Sequence, residues 1–129
     1  MTEPRWLSPV QVLSVHADQI QAHGGSLGLR DRGLFESALE RPRNRFRYKP
    51  DSDLAALAAA YGFGLSSNHA FVDGNKRVAF QAMYLFLGLN GFRIDSSEEE
   101  VVSLILSLAN GDLDEPALAA WLRTHLSPR

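Results

Sequence analysis

Nine consecutive residues, His69 to Arg77, bring together most of the side chains in this sequence that could act jointly in chemistry. They read HAFVDGNKR and stand directly before an apolar stretch, VAFQAMYLFLGLN. Polar groups beside a buried segment cost free energy unless something uses them. We therefore treat this segment as the candidate functional site.

The second half of the segment has the composition of an anion-binding loop. Gly74 can adopt backbone angles closed to other residues, so that successive N–H groups turn inward. Lys76 and Arg77 add charge where the dipole of the following helix is also positive. Gln81 follows Arg77 by one turn and faces the same direction. A polyphosphate is the ligand that such a loop suits best.

The first half adds an acid and a base. Asp73 is explained if it holds Mg²⁺, an ion that prefers one or two carboxylates together with the oxygens of a bound phosphate. His69 is placed to take a proton from an attacking hydroxyl, because histidine titrates nearest to neutral pH. A lone histidine after a helix is more often a capping residue, and GNK is often a simple turn. The combination within nine residues favours the functional interpretation.

Composition limits the class of protein. The chain has 129 residues, 45% of them hydrophobic and 22% charged, and a formal net charge of -2. We expect one globular domain, residues 1–129, that does not bind nucleic acid directly. The absence of cysteine excludes disulfides and thiolate metal sites. With no membrane span and no secretory signal in the sequence, we expect a cytoplasmic protein.

Helix signals along the chain predict an all-α fold, a compact bundle of about six helices around a central buried helix. The helix that follows the candidate site, Asn75 to Asn90, has apolar residues on every face, so we expect the others to surround it. The other helices are predicted from their caps and breakers: Ser8 to His23, Asp31 to Pro42, Asp51 or Ser52 to Asn68, Ser96 or Ser97 to Gly111, and a last helix from Asp114.

Residues 45–49 alternate between basic and aromatic side chains. This pattern predicts a short extended flap, and its candidate docking residues are Arg45, Phe46, Arg47 and Tyr48. A target segment could add to such a flap by strand pairing. A solvated connector whose rings cover the core is an equally good interpretation. The remaining histidines, His16, His23 and His125, are interpreted as surface or capping residues.

The HAFVDGNKR segment resembles the signature of the Fic/Doc superfamily, which reads His-x-Phe-x-Asp/Glu-Gly/Ala-Asn-Gly/Lys-Arg before a buried helix. Lysine at position 76, where nucleotidyl-transferring members usually have glycine, is similar to the Doc (death-on-curing) branch. Two further segments, GGSLGLRDRGLFESALERP and FLGLNGFRID, are also similar to Doc sequences. The resemblance therefore covers almost the whole chain.

This resemblance implies a Fido-type helical fold and the toxin of a bacterial toxin–antitoxin pair. Members of the branch use ATP and Mg²⁺ to phosphorylate a threonine of translation elongation factor Tu, which blocks protein synthesis. By this analogy His69 is the general base, Asp73 the Mg²⁺ ligand, and Asn75, Lys76 and Arg77 bind phosphate. The family analogy also makes residues 43–49 the flap that aligns the target.

The sequence lacks the inhibitory Ser/Thr-x-x-x-Glu-Gly/Asn motif of many Fic proteins, since the nearest candidate, Ser96 with Glu100, continues with Val101. We therefore expect inhibition by a separate partner, and the resemblance implies that this partner is an antitoxin whose disordered segment folds as a helix against the toxin. Two alternatives stay open. The chain could transfer a nucleotidyl group to a protein hydroxyl (AMPylation), or it could be a non-catalytic nucleotide-binding module.

Overall fold

The computed structural model describes residues 2–129 and consists of helices with one small sheet. It confirms the predicted all-α architecture of about six helices. The helices are α1 (Pro9–His23), α2 (Arg32–Tyr48), α3 (Leu54–Asn68), α4 (Asn75–Leu89), α5 (Glu98–Asn110) and α6 (Glu115–His125), and the strands are β1 (Phe92–Ile94) and β2 (Leu126–Pro128). Within residues 2–129, no helix has both the length and the apolar character needed to cross a membrane.

Local signals in the sequence begin most of the helices. Ser8 caps α1 and Ser97 caps α5, each in a capping box with the glutamine or glutamate three residues later. Asp114 caps α6 as predicted. The predicted cap of α3, Asp51 or Ser52, is wrong, because Asp53 accepts the N–H of Ala56.

Helix α3 is the most enclosed element of the structure. Eleven of its fifteen residues are buried, among them a run of alanines that lets its neighbours approach closely. Tyr61 on this helix accepts a hydrogen bond from the N–H of Leu7, and burial raises the pKa of Tyr61 to about 12. Helix α4 packs along α3 but leaves Tyr84 48% exposed. The expectation that α4 is enclosed on every face is therefore wrong at Tyr84.

Pro42 lies inside α2 and does not end it, contrary to the sequence prediction. A proline inside a helix removes one hydrogen bond and costs about 3 kcal/mol. Residues on both sides of the proline nevertheless hold α2 against its neighbours. Arg41 and Arg45 pair with Glu115 of α6, and the ring of Phe46 packs edge-on against Trp6 at 5.8 Å.

The helical course of α2 also corrects the predicted flap. Arg45, Phe46, Arg47 and Tyr48 form its last turn and are not extended. The basic side chain of Arg47, for example, makes contacts within the helix, to Asn44 and Glu40 of α2. A basic-aromatic alternation over five residues is too short to outweigh them.

A two-stranded antiparallel sheet joins the segment after α4 to the C-terminal residues. Phe92, Arg93 and Ile94 lie opposite Pro128, Ser127 and Leu126. The sequence analysis did not predict this pair, because strands of three residues contain too few alternations to be recognised.

His125 at the end of α6 links this helix to the start of α5 by hydrogen bonds. Its ring hydrogen-bonds the carbonyl of Trp121 at 2.7 Å and the carboxylate of Glu100 at 2.9 Å. The bond to the Trp121 carbonyl, and then that to Glu100, raise the pKa of His125 above its ordinary value of 6.5. The Ser97 N–H, and then His125, lower the pKa of Glu100 below 4.5.

We predict that the contact between His125 and Glu100 makes the free energy of unfolding depend on pH. Because the pKa of His125 is raised on folding, its contribution is complete below about pH 6.5 and is lost as pH rises through the folded value. The contribution of Glu100, whose pKa is lowered, is present above about pH 4.5 and lost in acid. Urea unfolding should therefore show a larger gap between wild type and His125→Gln at pH 5.5 than at pH 8. An equal gap at both pH values would contradict the assignment.

Candidate active site

The loop between α3 and α4 forms one wall of an open cleft, and α5 forms the other. The cleft has a volume of about 380 Å³. It brings together all the residues that the sequence analysis selected within the segment 69–77. Its lining consists of His69, Val72, Asp73, Gly74, Asn75, Lys76 and Arg77 from the loop and the start of α4, with Ile105 and Ala109 from α5.

His69 stands at the C-terminus of α3 in the left-handed backbone conformation, with φ of 51°. Residues other than glycine adopt this conformation infrequently, and histidine is among those that tolerate it. The Arg30 guanidinium holds this end of α3, donating to the carbonyls of His69 (2.7 Å) and Asn68 (3.3 Å). The side chain of His69 is exposed at the cleft.

Asn75 closes the loop through two hydrogen bonds to the main chain of Phe71. Its Oδ1 accepts the N–H of Phe71 and its Nδ2 donates to the carbonyl of Phe71, both at 3.0 Å. Asn75 is only 7% exposed. This geometry changes the expectation for Asn75, because its side chain serves the loop. Its main-chain N–H, in the first turn of α4, is the group it could offer to a phosphate.

Gly74 is the N-cap of α4 and has the left-handed conformation expected of it, with φ of 79°. No side chain caps the N-terminus of this helix, so its first N–H groups are available to a ligand. Among residues 2–129, neither Lys76 nor Arg77 takes part in an ion pair. An uncapped helix start and two unpaired cations together make this wall of the cleft attractive to anions.

Asp73 is held by the segment that follows α1. Its Oδ2 accepts the N–H of Ser26 at 2.8 Å. Gly25 lies close to the same side chain. A Cβ placed on Gly25 would be 3.2 Å from the Cβ of Asp73. In the described part of the chain, no cluster of three or more histidine, cysteine, aspartate or glutamate residues could hold a metal ion. A cation at Asp73 would therefore take its other ligands from phosphate and water.

Two elements that support the loop were not recognised in the sequence. The segment before α2 pairs with it: Leu29 bridges Phe71, and the carbonyl of Gly28 accepts the N–H of Val72 at 3.1 Å. His16 of α1 lies behind the loop, buried, where a surface or capping residue was expected. The sequence did contain a signal that His16 is buried, because His16 is four residues from Val12 and four from Ile20, both of which are buried on α1.

The other predicted site residues lie elsewhere. Gln81 does not line the cleft of His69 but a neighbouring groove of about 510 Å³, which shares Arg77 with that cleft. The residues of the predicted flap lie even further away. Arg45 lines a pocket with Asp53 at the N-terminus of α3, whereas His69 is at the C-terminus of the same helix. Because a helix of fifteen residues is about 22 Å long, residues 45–48 cannot edge the candidate site.

The fold and the site together define a helical protein in which a loop with a histidine, an acid and two cations precedes a core helix. Comparison with known proteins agrees with this class. A model of the Fic/DOC family matches residues 6–87. The chain is 32% identical to "Protein kinase doc" of Escherichia phage P1 over 119 residues, which cover 92% of this chain and 94% of the relative. It is 39% identical to "Toxin Doc" of Mycolicibacterium smegmatis over 105 residues, which cover 78% and 80%.

The chain therefore belongs to the Fic/Doc family, and the resemblance to its Doc branch is confirmed.

We predict that Asn75→Ala destabilises the protein by about 2 kcal/mol or more, because it leaves a buried N–H and a buried carbonyl of Phe71 without partners. Urea unfolding measures the loss. Asn110→Ala, at the exposed C-terminal end of α5, is the matched control and should change stability by less than about 0.5 kcal/mol. Equal stability of Asn75→Ala and wild type would show that the loop does not depend on this residue.

Proposed function

We propose that this protein is the toxin of a bacterial toxin–antitoxin pair and that it transfers a phosphoryl group from a nucleotide to a hydroxyl group of a protein. The names of its relatives, a protein kinase and a toxin, support this class of activity. The single observation that carries the proposal is the meeting of His69, Asp73 and the uncapped N-terminus of α4 in one cleft.

The residues present fit ATP with Mg²⁺. Gly74 has a φ of 79°, and a Cβ on it would lie 3.2 Å from the Cδ1 of Ile20, so glycine favours the close position of this backbone against α1. The first-turn N–H groups of α4, with Lys76 and Arg77, would hold the phosphate oxygens. Asp73 would offer a carboxylate oxygen to Mg²⁺. When bound, the nucleotide would supply the phosphoryl group and the metal ion would neutralise charge on its oxygens.

His69 is proposed as the general base. Its side chain is exposed at the cleft while its backbone is held by Arg30, an arrangement that suits a group that must meet a hydroxyl entering from another protein. It would take the proton of that hydroxyl as the oxygen attacks. Arg77, at the start of α4, would oppose the negative charge of the reacting group.

The target that we propose is a threonine of translation elongation factor Tu, in the cytoplasm, with arrest of protein synthesis as the result. This follows the family resemblance. The surface next to the cleft that could align a target segment is the loop of residues 24–31, where Leu27 is 65% exposed, and it replaces residues 45–48 in that role.

We further propose that an antitoxin inhibits the protein by binding in the groove that contains Gln81. This groove lies between α1, α4 and α5, and Val102 and Leu106 expose more than half of their surface beside it. An amphipathic helix could place its apolar face on these residues. Because Arg77 lines both the groove and the cleft, a segment bound in the groove would reach the anion site.

The proposal is tested with bacterial lysate, Mg²⁺ and ATP labelled on either the α- or the γ-phosphate. We expect the purified protein to transfer label to one protein from the γ-phosphate only, and a chelator of Mg²⁺ to abolish the transfer. His69→Ala should reduce the rate about 10²–10⁴-fold with little change in nucleotide affinity. His69→Asn repeats the test with a residue that tolerates the left-handed conformation.

His125→Gln, assayed at pH 8, is the control for the loss of a histidine outside the cleft. Label arriving from the α-phosphate would instead establish nucleotidyl transfer. Transfer that is unchanged in both His69 variants would overturn the assignment of the base. No transfer from either label, with nucleotide still bound, would favour a non-catalytic binding module.

A further inference from the structure

His16 lies directly behind the loop that forms the anion-binding wall, and the proposed function gives it no role. Its side chain is 3% exposed. Its Nε2 donates a hydrogen bond to the main-chain carbonyl of Asp73 at 2.7 Å. Its ring stacks on that of Phe71, with 3.8 Å between centroids and 15° between the planes. The residue therefore contacts the loop both by packing and by one directed hydrogen bond.

The hydrogen bond fixes the direction of one peptide group. None of the peptide bonds in residues 2–129 is cis. In a planar trans peptide the carbonyl and the N–H point in opposite directions. Since the carbonyl of Asp73 points at His16 on α1, the N–H of Gly74 points away from α1. Gly74 is also one of the residues that line the cleft.

Gly74 lies close to His16 and Ile20 of α1, so the orientation of the Asp73–Gly74 peptide depends on contacts with this helix. A Cβ on Gly74 would lie 3.5 Å from the Nε2 of His16 and 3.2 Å from the Cδ1 of Ile20. The peptide is therefore in close contact with α1. In the part of the chain that the structure describes, no other group donates to the carbonyl of Asp73. Without His16 this carbonyl would be a partly buried acceptor with no partner in the protein, which costs free energy.

We propose that His16 is a positioning residue of the anion site. It holds the peptide between Asp73 and Gly74 so that the N–H of Gly74 faces the cleft and joins the first-turn N–H groups of α4 as a donor to an anion. The expected effect of His16 on phosphate binding and phosphoryl transfer rests on the proposed function. The geometry of the peptide itself does not depend on that function.

Two substitutions separate the hydrogen bond from the packing. His16→Phe keeps a ring that can stack on Phe71 but removes the donor. His16→Gln removes the ring and keeps an amide N–H at about the distance of Nε2 from the backbone. Ser14→Ala, at an exposed position on the same helix, is the control.

Binding of inorganic tripolyphosphate, measured by calorimetry, is the first test. We expect His16→Phe to weaken binding about five- to tenfold, the effect of one hydrogen bond, and His16→Gln to stay within about twofold of wild type. A thermal melt of each variant reports its stability. If His16 only packs, His16→Phe binds as wild type does, or binding follows melting temperature in both variants, and the proposal is overturned.

The second test needs no ligand. Backbone ¹⁵N relaxation of residues 72–76 should give order parameters near 0.85 in wild type and in His16→Gln, and clearly lower values in His16→Phe. Unchanged order in His16→Phe overturns the proposal. If wild type does not bind tripolyphosphate, the anion site of the proposed function fails, and the relaxation result still decides whether His16 positions the loop.

Discussion

The two hydrogen bonds between the side chain of Asn75 and the main chain of Phe71 are the constraint on which the site depends. They close the turn between α3 and α4, in which Ala70 and the ring of Phe71 are buried in the core while His69, Val72 and Asp73 line the cleft. His69 and Gly74, the two ends of this turn, both have the left-handed backbone conformation. The buried part of the loop, which these hydrogen bonds hold, therefore fixes where its exposed part lies in the candidate site.

The interior around α3 explains how such a polar loop can be supported. Alanine and glycine residues let α2 and α4 approach α3 closely, and a Cβ on Gly64 would already lie 3.4 Å from Ala38. The two ends of α3 are consequently different in character. Its N-terminal end is occupied by the bidentate pair of Asp53 with Arg123, while its C-terminal end is held by Arg30 and leads into the cleft. Because α3 is tightly packed against its neighbours, the position of its C-terminal end is fixed by the core. The loop that begins there is positioned in the same way.

Features of the fold that depend on adjacent residues could be predicted from the sequence. Ser8 with Pro9, Gly111, and Asp114 with Pro116 mark helix ends by local chemistry, and the structure has them there. The polar cluster of residues 69–77 was recognised for the same reason. Features that depend on contacts distant in sequence were missed. His16 meets Asp73 across 57 positions, and Arg41, which precedes Pro42 in the continuing helix, meets Glu115 across 74. No periodicity in a short segment reports such contacts.

The central claim is that the start of α4 is a preformed anion site backed by the core. Its most direct test is an NMR titration of ¹⁵N-labelled protein with Mg²⁺ and a non-hydrolysable analogue of ATP, following every main-chain amide. The account predicts that the largest shift changes fall on residues 74–77, with smaller changes at His69 and Ser26. Changes concentrated around Arg45 and Arg123 at the opposite end of α3, or no change at residues 74–77, would contradict it.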